Sequence, residues 1–215
     1  EQQSRINLQN KILPSDWLTS IGTNSFQPYP IEMSYVPANH LNFVPFPIVQ
    51  GYSAYTHRLD SQAASLYSSE NAPVFILGEI SSMDQRNMLL DTPAVWHAIR
   101  SFYKPIFSSQ NQVLLRRTRR TQPMKLIADQ KISVHHGDWT LNPASEQDLY
   151  VSIDWPQTTV GKILALGLRN TRCSLTLRRM DGTIRRYRIT PDTLKTPFPI
   201  NRIPHTPNDL NQLFS

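Results

Sequence analysis

The chain carries 215 residues, 39% hydrophobic and 18% charged, with a formal net charge of +6 at pH 7; this is enough chain to bury one large core or two small ones. Its single cysteine, Cys173, excludes an intrachain disulfide and any cysteine-based zinc cluster. Seventeen prolines against seven glycines favour stiff, extended connections over flexible loops.

Residues 1–24 have weak periodicity and read as an adaptor segment. The chain starts at Glu1 with no charged stretch leading into an apolar run. The expectation is a piece cut or processed from something larger, with no signal peptide on it. Residues 25–50 are punctuated by Pro28, Pro30, Pro37, Pro45 and Pro47. Proline donates nothing to a strand ladder, so this stretch reads as extended chain and edge strand, half-buried over 44–49. Tyr55, Leu59, Ala63, Leu66 and Tyr67 then recur at helical spacing, which predicts a helix over 54–69, stopped by Asn71-Ala72-Pro73. The apolar run 74–80 reads as a buried strand. A second helix has Asp91 or Thr92 as its cap and Pro93 in its first turn. Val95, Ile99, Phe102 and Tyr103 line one face of it, and Pro105 ends it. Residues 112–120 follow as a strand with a basic exposed side. Strands alternating with helices are α/β grammar, assigned to a lobe over 1–122.

From 123 to 215 the grammar changes. Segments 125–134, 149–155, 162–168, 172–179 and 183–190 read as successive strands with no helix between them. Cys173, Leu175 and Leu177 alternate with polar neighbours, and Asp181-Gly182 supplies a tight hairpin turn. The prediction is an antiparallel β-sandwich, so the fold class is α+β: an N-terminal α/β lobe, then the sandwich. A tail with five prolines between Pro191 and Pro207 wraps the sandwich in this reading, before a short helix near 209–214. Charge divides the same way. Residues 1–99 hold four Lys or Arg against eight Asp or Glu, and residues 100–215 hold eighteen against eight. The arginines at 116, 117, 119 and 120, and at 178, 179, 185, 186 and 188, lie among alternating apolar residues. They read first as solvated sheet faces and second as contacts for anionic lipid headgroups. With no recognition helix or RNP-type motif, no nucleic-acid partner is expected.

The densest group of rings with hydrogen-bonding tips lies in 45–60, where Tyr52, Tyr55 and His57 follow a proline-framed strand. Asp84 and Arg86 come just after the buried strand, where α/β proteins present functional loops. Gln50, Tyr52, Tyr55, His57, Asp84 and Arg86 are therefore the candidate ligand-binding residues. The plainer alternative packs the rings at a helix N-terminus and uses the Asp-x-Arg pair to tie its own loop. His135-His136-Gly137-Asp138 is the one histidine cluster, but successive strand residues face opposite ways. No metal site and no cofactor is expected. A Gly-x-Ser-x-Gly elbow, a phosphate-binding loop and a dinucleotide fingerprint are all absent from the sequence. Paired carboxylates for glycosidic cleavage would have to come from Glu32, Glu79 and Asp84.

One pattern reaches further. The run Pro47-Ile48-Val49-Gln50-Gly51-Tyr52-Ser53-Ala54-Tyr55-Thr56 is followed by Leu59 and Ala63, the strand 72–77 and Asp84-x-Arg86. The helix ending at Tyr103, and Asp181-Gly182 with Arg188, complete it. Together these resemble the soluble segment that follows the transmembrane helices in bacterial multi-pass membrane proteins, some of them glycosyltransferase-like. The resemblance implies an extracytoplasmic domain, periplasmic or at the cell surface, tethered to a membrane. Its implied partners are its own transmembrane region or a membrane partner; it implies no reaction. Apolar runs such as Val74-Phe75-Ile76-Leu77 fall far short of the roughly 20 residues that cross a bilayer. The expected function is non-catalytic binding or positioning, for a glycan or a lipid-linked anion. One alternative is an accessory or catalytic domain acting on saccharides, with Glu79 and Asp84 as its acids. The other is a structural interaction domain.

Overall fold

The apolar run that begins at Val74 forms β3 (Phe75–Glu79), the middle strand of a five-stranded sheet. Its residues are apolar in succession because both faces are covered. Phe75 and Leu77 enter one core while Ile76 enters the other. The remaining strands are β1 (Ser25–Tyr29), β2 (Asn42–Phe43), β4 (Tyr103–Ser108) and β5 (Gln112–Arg117), in the order β2-β1-β3-β5-β4. β2, β1 and β3 run parallel; β5 is antiparallel to β3 and to β4. The computed structural model describes residues 8–30, 32–48, 54–79, 86–109, 111–118, 130–135, 137–140, 148–156, 173–179 and 181–214.

Helices cover the sheet on both sides. On one face lie α1 (Ser15–Ile21) and α2 (Tyr35–Ala38), which bury Trp17, Ile21 and Tyr35 against Phe26, Phe75, Leu77 and Leu114. On the other lie α3 (His57–Ser68) and α5 (Pro93–Phe102), which bury Ala63, Tyr67, Val95, Trp96 and Ile99 against Tyr29, Ile76, Val113 and Leu115. The one-turn helix α4 (Met88–Asp91) leads into α5. The chain is a mixed α+β protein.

Two strands run through prolines, one in a stretch read as extended chain and edge strand and one read as the end of a helix. β1 contains Pro28 and is flanked on both sides by β2 and β3. The Phe26 carbonyl accepts from Val44 N–H, so residues 26 and 28 turn their backbone polar groups toward β2. β2 pairs only with Ser25 and Phe26, so the donor that Pro28 lacks falls beyond its end. Pro105, expected to stop the second helix, lies inside β4 instead. β4 is an edge strand, and its register against β5 shifts between Pro105 and Phe107. The helix had already ended at Phe102. The edge strand expected over 44–49 is found as the two-residue β2, just before it.

In the second half the described residues form two separate two-stranded sheets: β6 (Tyr150–Val151) with β9 (Phe198–Pro199), and the hairpin β7 (Cys173–Arg178) with β8 (Ile184–Ile189). The expected strand at 162–168 lies outside the described residues, as does the first half of 125–134; 130–134 has no regular structure. The hairpin turns at Gly182, whose φ of +83° suits glycine, and the Asp181 carboxylate accepts from Thr183 N–H at 2.8 Å. A third core joins Tyr187, Ile189, Leu194, Phe198 and Ile203 to Leu90 of α4. The tail then reaches α6 (Pro207–Leu213), whose Leu210 and Leu213 enter the core of the five-stranded sheet.

Candidate ligand-binding site

The parallel strands β1 and β3 end side by side, with Tyr29 in register with Gly78. Sheets of this kind bind ligands beyond the carboxyl ends of their parallel strands. Several segments converge on that edge. Glu79 closes β3 opposite Gln112, the first residue of β5. The Gln112 amide donates to the hydroxyl of Tyr35, the first residue of α2. Glu32, in the loop after β1, forms an ion pair with Lys11 at 3.1 Å, and the Lys11 ammonium lies 5.0 Å from the centre of the Tyr35 ring. Asn39 fixes the arrangement. Its amide group donates to the carbonyls of Lys11 and Tyr35, each at 2.8 Å, and its oxygen accepts from Leu13 N–H at 2.9 Å.

The two carboxylates here are driven apart. A hydrogen bond from the Ser34 hydroxyl, helped by Lys11, holds Glu32 below the usual carboxylate range. Burial pushes Glu79 above it; the charge on Glu32 adds to the effect and Lys11 opposes it. Burial also lifts Tyr35, reinforced by Glu79. Among the described residues the Glu79 carboxylate takes no hydrogen bond and no ion pair. Its oxygens are open to water, so a ligand that binds here exchanges water's donors for its own.

Of the residues expected from sequence, the structure brings together Tyr55 and Arg86. The Arg86 guanidinium stands 5.4 Å from the centre of the Tyr55 ring, which is 49% exposed, and pairs with Asp91 at 3.6 Å. Burial raises the Asp91 carboxyl to about 6, against the pull of Arg86 and Arg188. Arg86 thus links the residues before α3 to α4. His57 is committed elsewhere: its backbone N–H donates to Asp192 Oδ2 and its Nδ1 meets Thr196 Oγ1, both at 2.9 Å. Those bonds join the start of α3 to the tail. Gln50, Tyr52 and Asp84 lie outside the described residues. So does His136, while the exposed His135 bonds Asp138 through its backbone N–H at 3.3 Å.

The sequence reading missed Lys11, Tyr35 and Gln112. They come from segments with no shared motif, and only the carboxylates Glu32 and Glu79 were visible as chemistry. A further polar group on the outer side of α5 is stitching. His97 Nε2 donates to the Pro197 carbonyl, Arg100 donates to the Tyr150 hydroxyl, and Asp148 lies 3.5 Å from Arg100 and 3.1 Å from Arg202. The recess between them is shallow and lined mainly by Trp96, His97, Tyr150 and Pro197.

Among the described residues no group of three His, Cys, Asp or Glu side chains is placed to hold a metal ion, and no helix is long and apolar enough to cross a membrane. No family model, no curated protein and no solved structure matches the chain.

Proposed function

We propose that the chain is a non-catalytic, extracytoplasmic binding or positioning domain of a membrane-anchored bacterial protein, holding a glycan or a lipid-linked anion. One observation carries the reading: Glu79, half-buried and with no donor among the described residues, stands at the carboxyl edge of β1 and β3 within the field of Lys11. An acceptor beside a cation suits a polyhydroxylated or anionic ligand, while the Tyr35 ring is buried and only backs the edge. The strongly shifted groups elsewhere are already engaged, Asp60 with backbone amides, Asp91 with Arg86 and His97 with a carbonyl, which supports holding over proton transfer. In the same reading 123–215 is the antiparallel sandwich, supported by the pairs β6–β9 and β7–β8.

The test is a glycan and phospholipid array, followed by titration of the best ligand into the wild type and Glu79→Gln. Loss of hydrogen bonds to a charged acceptor is expected to weaken binding about 10- to 100-fold. A folded wild type with no ligand above background, or equal affinity in both forms, sinks the reading.

A second reading, a saccharide-acting enzyme, draws on the opposite displacement of Glu32 and Glu79, the relation expected of an acid and a base. No turnover of chromogenic glycosides by the folded wild type would remove it, and turnover that survives both Glu32→Gln and Glu79→Gln would remove these two carboxylates from it.

A further inference from the structure

The register of the hairpin sorts its side chains into two faces. Leu177, Leu175 and Cys173 pair with Arg185, Tyr187 and Ile189, and this side packs on the third core. The other side carries Ser174, Thr176 and Arg178 opposite Arg188, Arg186 and Ile184. On that outer side Arg178 and Arg186 are exposed and Ile184 is 55% exposed. Trp139, itself 59% exposed, lies 4.5 Å from the Arg178 guanidinium, ring centre to Cζ. Residues 173–190 hold five arginines, no lysine and a single acid, Asp181. Asp181 accepts from Thr183 N–H within its own turn, and the arginine charges it meets are those of Arg179 and Arg185, not those of Arg178 or Arg186.

We propose that this outer face is the surface by which the domain docks on a phosphate-bearing anionic membrane. The partner is chosen on the reading above of a membrane-associated domain, and the face itself on its own chemistry. Guanidinium groups match phosphate oxygens in a planar, two-point fashion that lysine does not. The Trp139 indole packs against Arg178, yet it and Ile184 both stay more than half exposed beside the arginines. At a bilayer surface the two find the interfacial zone where tryptophan and aliphatic side chains are stabilised, while the arginines stay at headgroup level. A nucleic-acid backbone would reward the arginines and leave Ile184 without an apolar contact. Lipid therefore accounts for Arg178, Arg186, Trp139 and Ile184 together.

Each cation near an anionic surface strengthens partitioning about fivefold. The full chain is to be sedimented with phosphatidylcholine vesicles, alone and with about one third phosphatidylglycerol, at low and at high salt. The expected result is binding to the anionic vesicles that falls as salt rises. Arg178→Gln with Arg186→Gln weakens it about thirtyfold, and Trp139→Ala removes most of what survives in high salt. All of these side chains are exposed, so thermal unfolding of the variants should match the wild type and confirm that they fold. A folded wild type that ignores vesicle charge overturns the proposal. So does an arginine double variant that binds undiminished, or a single-stranded oligonucleotide that binds more tightly than the vesicles through the same arginines. Glu79→Gln should dock like the wild type. Vesicle binding that is lost in the arginine double variant and kept in Glu79→Gln belongs to this face, and a ligand affinity that falls in Glu79→Gln but not in the double variant belongs to the ligand site, so either reading can fail without the other.

Discussion

Asp60 belongs to α3 but serves α5. It is fully buried, and its two carboxylate oxygens accept from Ala94 N–H at 2.9 Å and Val95 N–H at 3.2 Å. These are free amides in the first turn of α5, whose own N-cap residue, Thr92, makes no side-chain cap bond. Thr92 is occupied with the Tyr29 hydroxyl. A carboxylate from a neighbouring helix therefore caps α5 and locks the two helices at a fixed height, where the helix dipole also favours its charge. Burial still outweighs the two amides and the charge of His57, and the carboxyl is raised from 3.8 to about 6. Between those values the folded protein holds a proton that the unfolded chain has released. Asp60 therefore lowers stability as pH rises from about 4 to 6, by up to about 3 kcal/mol, and adds no slope above that. Asp91, raised to about 6 in the same way, acts in the same direction. Denaturant midpoints measured from pH 4 to 7 should fall more steeply in the wild type than in Asp60→Asn, which keeps the Asp91 contribution. Parallel curves would show that Asp60 does not titrate in this window. At neutral pH the same substitution turns an amide N–H₂ toward a backbone N–H, with an expected cost of about 1–3 kcal/mol.

Among the elements, α6 has the most complete local grammar. The Thr206 hydroxyl accepts from Asp209 N–H at 3.1 Å, Asp209 returns the favour to Thr206 N–H at 3.0 Å, and Pro207 fills the first turn. Thr206→Ala should cost about 1 kcal/mol, which lowers the melting temperature by about 2–4 °C in a chain of this size. Thr206→Ser should restore it; an unchanged transition in the alanine variant would mean that packing alone sets the helix. Local grammar is also what made the fold partly legible. Asn71-Ala72-Pro73, Pro93 and Asp181-Gly182 mark boundaries that the chain uses, and β3, α5 and the hairpin appear close to where their patterns placed them. β1 was legible only as extended chain or edge strand because of Pro28, not as the interior strand it is, and β4 was hidden because Pro105 read as the end of a helix. Only tertiary facts, the short reach of β2 and the edge position of β4, make those prolines harmless. The helix cap was hidden for the same reason: Asp91 and Thr92 had the right chemistry and position, but the acid that caps α5 comes from residue 60. Of the edge built from Lys11, Glu32, Tyr35, Glu79 and Gln112, only the two carboxylates were legible as chemistry, since spacing along the chain says nothing about which strand ends meet.

At the scale of the whole molecule the two halves recognised in the sequence are tied at several separate points. Asn87 caps α4 by accepting from Leu89 N–H at 3.0 Å, and its amide group donates to the Pro204 carbonyl at 3.0 Å. His57 reaches Asp192 and Thr196, and the Thr193 hydroxyl reaches the carbonyl of Leu90 at 3.4 Å. These polar ties surround an apolar one. Leu210 of α6 is fully buried, and its Cδ2 lies 3.8 Å from where a β-carbon on Gly78 of β3 would stand. The last helix of the chain thus completes the core of a sheet formed by its first half. The tail, rich in proline, has little freedom to lose on ordering, so the helix is delivered at modest entropic cost. Leu210→Ala leaves a cavity against β3 that a rigid sheet cannot close, with an expected loss of about 2–5 kcal/mol. Because the core is shared, that loss should fall on both halves at once. Calorimetry and tryptophan fluorescence should give one transition each, coincident in the wild type and shifted together in the variant. Trp17 and Trp96 report the two faces of the sheet, and Trp139 the neighbourhood of the hairpin. Two resolved transitions, with only the one seen by Trp17 and Trp96 moving in Leu210→Ala, would show instead that the hairpin region folds independently and that α6 is an appendage of the first lobe.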